Sequence, residues 1–286
     1  MNLKSLLRFL NKKKKKKIFI FDEKDLFLLE KELSNCSLFA LDTEFDWKTT
    51  YFPKLSLIQI SVNKTLFLVD CLKVDPTNIL KKYLEDLNIL KIFHSVRSDT
   101  IVLSKCLGSN TRNVFDIQVA DVLISNKSIN SYAKIVRKFF YIELKKTETN
   151  SNWLKRPLTQ DQLDYALDDV DFLIEIYEFQ KKILAKKNLL GKAFSESEKE
   201  AHLGNQSLKK LRLMKQENKL SKRNKEIFKW REELAEEDNI PPTFIFKNKH
   251  LKTLSKIQPN DKSAKKKIMT ILGDNHLAEK FIITFL

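Results

Sequence analysis

Hydrophobic and polar positions follow two different periods over residues 18–185. Short runs rich in Ile, Leu, Phe and Val predict strands, whereas leucines at helical spacing, as at Leu26, Leu29 and Leu33, predict amphipathic helices. Strands are predicted at 18–21, 37–45, 55–62, 65–69 and 89–94. Helices are predicted at 23–33, 76–86, 97–107, 116–125, 131–140 and 159–185. This succession predicts an α/β domain with a mixed sheet flanked by helices.

The carboxyl-terminal third has a different pattern. Residues 186–220 are polar and hold two of the four glycines, which predicts a domain boundary there. Beyond it, helical spacing of Ile227, Trp230 and Leu234 predicts a small all-α domain, continued by short helical patterns near 251–257, 262–272 and 277–285. The predicted organisation is a basic tail over 1–17, an enzyme-sized domain over 18–190, a linker or helical connector over 191–220 and a helical domain over 221–286.

Charge adds a candidate partner. The formal net charge is +16, and residues 187–286 carry 22 basic against 13 acidic residues. Either a polyanionic partner such as nucleic acid or an A/T-rich coding bias explains this excess, and the run Lys12 to Lys17 is interpreted as a flexible tail with nonspecific phosphate attraction. No apolar run reaches the roughly 18 residues of a membrane span, so no membrane partner is expected. Three widely spaced cysteines predict a reducing compartment, the cytoplasm.

The first candidate for chemistry is Asp42-Thr43-Glu44 at the end of an apolar strand. Residues i and i+2 of a strand point the same way, so Asp42 and Glu44 present two carboxylates side by side. Their repulsion would be relieved by a divalent cation such as Mg²⁺ or Mn²⁺, which prefers hard oxygen ligands. The alternative interpretation is an exposed acidic strand end, since such triplets are common in this chain.

Two further acidic positions lie on predicted helices. Asp99 follows a buried strand that ends near His94, at a place where α/β sheets collect ligands, although Asp99 would also favour a helix amino terminus electrostatically. Tyr165 and Asp169 stand four residues apart and therefore share a helix face, whereas Asp168 points about 100° away. The predicted inward carboxylate of this helix is Asp169, and the alternative is a solvated acidic face.

These segments together match a known set of motifs. LFALDTEF (38–45), FHSVRSD (93–99) and YALDDV (165–170) resemble the three exonuclease motifs of the DEDD superfamily of 3′→5′ exonucleases, in the subclass marked by Tyr-x-x-x-Asp. Within that superfamily the chain resembles ribonuclease D, with further similarity in VFDIQVADVL (114–123) and SNWLKRPLTQDQLDYA (151–166). The resemblance implies a ribonuclease H-like exonuclease fold over about residues 18–185.

The resemblance also implies a function. The implied function is that of a 3′→5′ exoribonuclease that shortens RNA, such as tRNA precursors. The enzyme would use two divalent metal ions, Mg²⁺ or Mn²⁺, and would need no obligate protein partner. The implied metal ligands are Asp42, Glu44, Asp99 and Asp169. Tyr165 would orient the attacking water, because a pKa near 10 makes it a poor base at neutral pH. Two residues, Phe45 and His94, would lie near the terminal nucleotide and bind it.

Two departures and two alternatives accompany this resemblance. The family usually has an acidic residue where this chain has Asn152, and longer ribonuclease D chains carry two helical carboxyl-terminal domains where this one has room for one. The segment 230–259 resembles the HRDC domain, a class associated with nucleic-acid contact. The alternatives are a DNA 3′→5′ exonuclease of the same fold and a noncatalytic nucleic-acid-binding module.

Overall fold

A computed structural model describes residues 15–126, 128–145, 147–216, 220–258 and 260–286 of the protein. These residues form two compact units. The first comprises the described residues up to Asp46 together with Pro53–Asn205, and the second comprises Trp47–Phe52 and Gln206–Leu286. Among the helices of the described ranges, none has both the length and the hydropathy needed to cross a membrane.

The described part of the first unit contains a mixed sheet, as the sequence predicts, with six strands where five were expected. Its strands are β1 (Lys16–Ile20), β2 (Leu38–Asp46), β3 (Lys54–Val62), β4 (Thr65–Asp70), β5 (Leu90–Phe93) and β6 (Val114–Asp116). Their order across the sheet is β1-β4-β3-β2-β5-β6. The central strands β2, β3 and β4 pair antiparallel, while β1 joins β4, β5 joins β2 and β6 joins β5 in parallel.

Helices cover both faces of this sheet. They are α1 (Leu26–Leu33), α2 (Thr77–Glu85), α3 (Val96–Leu107), α4 (Ile117–Ser125), α5 (Tyr132–Phe140), α6 (Gln160–Asp171), α7 (Leu173–Lys186) and α8 (Leu190–Gly204). Because side chains alternate along a strand, each strand contributes to two hydrophobic clusters, as Leu41 and its neighbour Ala40 of β2 do. One cluster includes residues of α1, α2 and α3, and the other includes residues of α4 to α7.

The outer strand β6 was not predicted, and the helix beside it was expected only as part of a linker or helical connector over 191–220. The N–H of Val114 donates to Glu198 Oε1 at 2.7 Å, and the N–H of Asp116 donates to Ser197 Oγ at 2.9 Å. The polar stretch after residue 190 is therefore α8, whose side chains satisfy the free edge of the sheet. Gly204 ends this helix where a Cβ atom would meet Thr100 Oγ1 of α3 at 1.9 Å, so only glycine allows the close approach.

Two predicted segments need correction. The single helix expected over 159–185 is two helices that meet at Phe172, although neither proline nor glycine occurs in that range. The basic tail expected over 1–17 is too long, because β1 begins at Lys16 and Lys15 Nζ forms an ion pair with Asp171 Oδ1 at 3.0 Å. Lys12 to Lys14 lie outside the described residues.

The second unit is helical, as predicted, and includes one borrowed segment. Its helices are α9 (Leu208–Met214), α10 (Lys222–Glu237), α11 (Pro242–Ile245), α12 (Leu251–Ser255), α13 (Ala264–Leu272) and α14 (Asn275–Phe285). Trp230 packs edge-on against Phe281, with ring centroids 5.4 Å apart. The Arg212 guanidinium lies 4.5 Å from the ring centroid of the fully buried Tyr51 and 2.9 Å from a carboxylate oxygen of the buried Glu232. The segment between β2 and β3 is thus part of the helical core.

Candidate active site

Strand β2 supplies the first two carboxylates. Asp42 and Glu44 alternate with Thr43 along the strand, so both carboxylates lie on one face and the threonine lies on the other. A β-bulge between Glu44 and Phe45 then changes the register of β2 against β3. The two acids are partly exposed while Thr43 is buried, which agrees with a strand end that opens into a cavity.

Helix α6 supplies the third carboxylate. Thr159 caps this helix: its hydroxyl accepts from the Gln162 N–H at 3.2 Å, and the Gln162 side chain accepts from the Thr159 N–H at 3.0 Å. Asp42, Glu44 and Asp169 each offer a carboxylate oxygen, and these oxygens lie within 4.8 Å of one another. The helical spacing from Tyr165 thus brings Asp169 to the strand, whereas Asp168 does not belong to this group.

Helix α3 brings Asp99 to the other side of β2. Asp99 is buried and accepts a hydrogen bond from Thr43 Oγ1 at 2.7 Å. The start of α3 is fixed by Asp116, whose two carboxylate oxygens accept from the N–H groups of Ser95 at 3.0 Å and Val96 at 2.9 Å. Ser95 itself has a left-handed backbone with φ of 65°. Asp99 is therefore held by the residue between Asp42 and Glu44.

Burial raises the pKa of the acids at this site, and neighbouring carboxylates add to the rise for Asp42 and Glu44. Burial, followed by the charges of Asp42, Asp169 and Asp99, raises the pKa of Glu44 to about 10. Burial and the charge of Asp99 likewise raise the pKa of Asp42. The pKa of Asp99 rises to about 7, chiefly through burial. Each carboxylate is thus poorly stabilised in its charged form by the protein alone.

Carboxylates with raised pKa values would be stabilised in their charged form by a nearby cation. The residues of this site fit a divalent cation. Mg²⁺ and Mn²⁺ prefer carboxylate oxygens, and a cation between Asp42, Glu44 and Asp169 would lower the pKa of each ligand. The oxygens of these three residues lie close enough together to share one ion. Asp99 lies outside that group, but its charge contributes to the raised pKa of Asp42.

A cavity of about 310 Å³ opens beside the three carboxylates. Its lining residues come from β2, the segment after β5, the start of α5, the connection between α5 and α6, and α6: Asp42, Thr43, Glu44, His94, Ser131, Tyr132, Ala133, Leu144, Lys145, Thr149, Tyr165 and Asp169. Inside it, the hydroxyl of Tyr165 lies 3.4 Å from Thr149 Oγ1, and its ring centroid lies 6.0 Å from that of Trp153. Burial and the charge of Asp169 raise the pKa of Tyr165, so the phenol keeps its proton.

The two predicted nucleotide contacts are placed differently. His94 lines the cavity, with Nε2 lying 3.2 Å from the carbonyl oxygen of Asn130 and its ring edge-on to that of Tyr132. Burial lowers the pKa of His94, which favours the neutral imidazole at pH 7. Phe45 follows the bulge and packs against the core cluster on the α1 to α3 face. The structure does not bring Phe45 to this cavity, and its role stays a prediction.

Several cavity residues were not found from the sequence. Thr43 lies between two acidic residues and has no motif of its own. Its hydrogen bond joins it to Asp99, a residue of α3 that lies 56 positions away in sequence. Ser131, Tyr132 and Thr149 stand in no acidic or nucleophilic motif, and only the folded chain brings them to the carboxylates. No local signal in the sequence identifies them.

Asn152, which stands where the family resemblance leads us to expect an acidic residue, forms a local hydrogen bond. Its Oδ1 accepts from the N–H of Leu154 at 3.1 Å, which is the hydrogen bond of an Asx turn. An amide oxygen makes this bond as a carboxylate does. The substitution therefore leaves the turn ahead of α6 intact.

Comparisons with known proteins agree with this geometry. A family model for 3′-5′ exonucleases matches residues 17–185, more than half of the chain, and an HRDC domain model matches residues 221–278. A ribonuclease D from Desulfotalea psychrophila is 34% identical over 77% of this chain and 61% of its own length. A ribonuclease D from Xanthomonas oryzae is 30% identical over 79% of this chain and 64% of its own length. The chain thus spans about three fifths of the length of these relatives.

Solved structures share the fold. Escherichia coli RNase D, described as an exoribonuclease involved in structured RNA processing, aligns with a TM-score of 0.80 at 24% identity, over 94% of this chain and 75% of that one. The catalytic core of RRP6 from Trypanosoma brucei aligns with a TM-score of 0.66 at 26% identity, over 94% of this chain and 80% of that one. The architecture of both units therefore has known counterparts.

Proposed function

Because the chain belongs to the 3′-5′ exonuclease family, we propose that it is a metal-dependent exoribonuclease that removes nucleotides one at a time from RNA 3′ ends. The observation that carries the proposal is the convergence of Asp42, Glu44 and Asp169 within 4.8 Å at the wall of one cavity. Asp42 and Glu44 belong to β2 and Asp169 belongs to α6, so the meeting of all three is a property of the fold. The similarity to ribonuclease D relatives supports RNA as the substrate class. Precursors of tRNA are the natural substrate that the family resemblance implies.

Two divalent cations, Mg²⁺ or Mn²⁺, would be held by Asp42, Glu44 and Asp169 together with Asp99. Ions bound there would activate a water molecule and stabilise the charge that develops on the leaving 3′ oxygen. The protein's contribution is to hold its carboxylates on three separate elements, with Thr43 fixing Asp99 by its 2.7 Å hydrogen bond. Preorganised ligands of this kind lose little conformational entropy when the ions bind.

Tyr165 orients the attacking water. Its pKa is raised by burial and by Asp169, so at neutral pH the phenol donates a hydrogen bond and does not remove a proton. The neutral His94 imidazole and the hydroxyl of Thr149 line the same cavity and supply polar contacts for the terminal nucleotide. Phe45, which follows the bulge, remains the second candidate for a nucleotide contact.

The second unit supplies attraction for the rest of the RNA. A shallow cavity of about 370 Å³ there is lined by Lys252, Lys256 and Lys267, with Asp261 beside them. Lysines around a concave surface attract phosphates without reading sequence.

Cys36, Cys71 and Cys106 are all free thiols, which supports the cytoplasm as the place of action.

The decisive experiment incubates the purified full chain with 5′-labelled and 3′-labelled RNA and DNA of one sequence, in Mg²⁺, Mn²⁺ or EDTA. We expect stepwise shortening of 5′-labelled RNA, immediate release of labelled mononucleotide from the 3′-labelled strand, and no reaction in EDTA. Faster shortening of DNA than of RNA would mean that the substrate is DNA. RNA binding without hydrolysis in either metal would leave a noncatalytic module and overturn the proposal.

A further inference from the structure

The break between α6 and α7 has a cause that lies on another helix. In a continuous α-helix the N–H of Phe172 would donate to the carbonyl of Asp168, four residues earlier. Here the Tyr132 hydroxyl lies between these two groups. It accepts from the N–H of Phe172 at 3.1 Å and donates to the carbonyl oxygen of Asp168 at 3.0 Å. A side chain inserted into the hydrogen-bond ladder is a recognised cause of a sharp helix kink.

The hydroxyl is held in this place by its surroundings. Tyr132 is the first residue of α5 and is 7% exposed, and its ring packs edge-on against His94 with centroids 5.8 Å apart. Burial raises the pKa of Tyr132, so the phenol stays protonated and can donate to the carbonyl while it accepts from the N–H. Both hydrogen-bonding functions of the group are therefore used at the junction.

The junction is next to a proposed metal ligand. Asp169 lies between the carbonyl of Asp168 and the N–H of Phe172, inside the turn that the hydroxyl interrupts. Without the hydroxyl, these two backbone groups are free to form the ordinary helical bond. The last turn of α6 would then tighten, and the direction of the Asp169 side chain toward Asp42 and Glu44 would change.

We propose that Tyr132 is a positioning residue, whose hydroxyl, wedged into the α6–α7 junction, sets the orientation of Asp169 for metal binding. This inference rests on the proposed function for the identity of the metal site. The hydroxyl itself touches neither substrate nor metal in this role. It acts through the backbone on both sides of Asp169, while its ring forms part of the cavity wall.

The test compares Tyr132→Phe with wild type in the full chain. The variant keeps the ring against His94 and removes only the hydroxyl. We expect Mn²⁺ affinity, measured by calorimetric titration without RNA, to fall about 10-fold, as losses beyond the ligands themselves often do. We expect kcat for RNA to fall by about 10-fold or more while KM changes less than twofold, since the substrate contacts remain.

Tyr141→Phe is the matched control, because Tyr141 caps the far end of the same helix and is 74% exposed. Its Mn²⁺ affinity and kcat should equal those of wild type. Tyr132→Leu, which lacks both hydroxyl and ring, should lose at least as much Mn²⁺ affinity as Tyr132→Phe.

Wild-type Mn²⁺ affinity and kcat in Tyr132→Phe would overturn the inference, and so would a change confined to the melting temperature. If the wild-type protein binds Mn²⁺ but hydrolyses no RNA, the proposed function fails. A weaker Mn²⁺ affinity of Tyr132→Phe would still support the positioning role in that case. The two failures are therefore distinguishable.

Discussion

Helices α3 and α6 deliver carboxylates to the same site from opposite ends. Asp99 lies in the first turn of α3, where the partial positive charge of the helix amino terminus favours a carboxylate. Asp169 lies in the last turn of α6, beside Asp168 and Asp171, where the helix dipole and the neighbouring charges both oppose it. The comparison teaches that the two carboxylates lie in opposite helix fields, one that favours a negative charge at Asp99 and one that opposes it at Asp169.

The two helices are also fixed by different means. Asp116 caps the start of α3, and Gly204 of α8 packs closely against the side of α3. At the end of α6, the Tyr132 hydroxyl holds the backbone, and Lys15 pairs with the Asp171 carboxylate at 3.0 Å. Hydrogen bonds at its start and close packing along its side therefore secure the first helix, whereas hydrogen bonds and an ion pair secure the end of the second.

The largest expected effect comes from removing a ligand. Asp169→Asn and Asp42→Asn should each lower kcat by about 10³-fold or more, because losing a metal ligand removes several kcal/mol of transition-state stabilisation. RNA affinity, measured by a binding titration in EDTA, should stay near wild type. Asp168→Asn is the matched control and should retain most activity. Wild-type turnover in Asp169→Asn would refute the assignment of Asp169 as a metal ligand.

Removing the hydroxyl of Tyr165, one helical turn before Asp169, should have the next largest effect on kcat. Tyr165→Phe should lower kcat on the order of 10²-fold and leave Mn²⁺ affinity close to wild type, because the hydroxyl orients water and is not a ligand. Single-turnover kinetics and calorimetric titration of the same preparation separate the two quantities. A large loss of Mn²⁺ affinity would instead make Tyr165 part of the metal site.

Packing around α3 is tested by Gly204→Ala. The added methyl group would meet Thr100 Oγ1 at 1.9 Å and the Arg97 carbonyl oxygen at 2.8 Å, so α3 and α8 must separate. We expect a loss of about 1–3 kcal/mol in the free energy of unfolding, measured by urea denaturation. Gly191→Ala, in the same helix but with nothing within 4 Å of its Cβ, should be neutral or stabilising. Equal effects of both variants would exclude close packing as the cause.

The smallest expected effect is a pH dependence of thermal stability. The folded, metal-free protein raises the pKa of Asp99 to about 7 and that of Glu44 to about 10, so it holds protons that the unfolded chain releases above about pH 4. Without divalent ions the melting temperature should therefore fall as pH rises from 5 to about 8. The gain on adding Mg²⁺ should grow over the same range, because ionised carboxylates bind the cation.

Glu44→Gln is the control for this dependence. A glutamine cannot ionise, so the slope of melting temperature against pH should flatten in the absence of metal. A metal-free melting temperature that rises with pH in the wild type would mean that these carboxylates are better stabilised than their burial implies.

The predicted elements held wherever the signal was local. Strand β3 is rich in Leu, Ile and Val, α1 buries Leu26, Leu29 and Leu33, and Thr159 caps α6 through its own side chain. Such features depend on residues a few positions apart. The four-residue spacing that pairs Tyr165 with Asp169 belongs to the same kind, and the structure has both residues lining one cavity.

Three features depended on distant partners. Strand β6 has only three residues and gains its stability from β5 and from side chains of α8. Helix α8 is polar enough to read as a connector, because its polar residues face a sheet edge. The break at Phe172 has no local sign, since the hydroxyl that causes it belongs to Tyr132, 40 residues earlier.

The sequence by itself determined the mixed α/β unit, the helical second unit and the acidic positions, because periodicity, capping and spacing act within a few residues. Only the tertiary structure decided that Thr43 holds Asp99, that Phe45 packs away from the cavity and that α6 stops beside Asp169. Those outcomes depend on which atoms meet across elements. Contact between elements is set by packing of the whole unit, and no short stretch of sequence contains it.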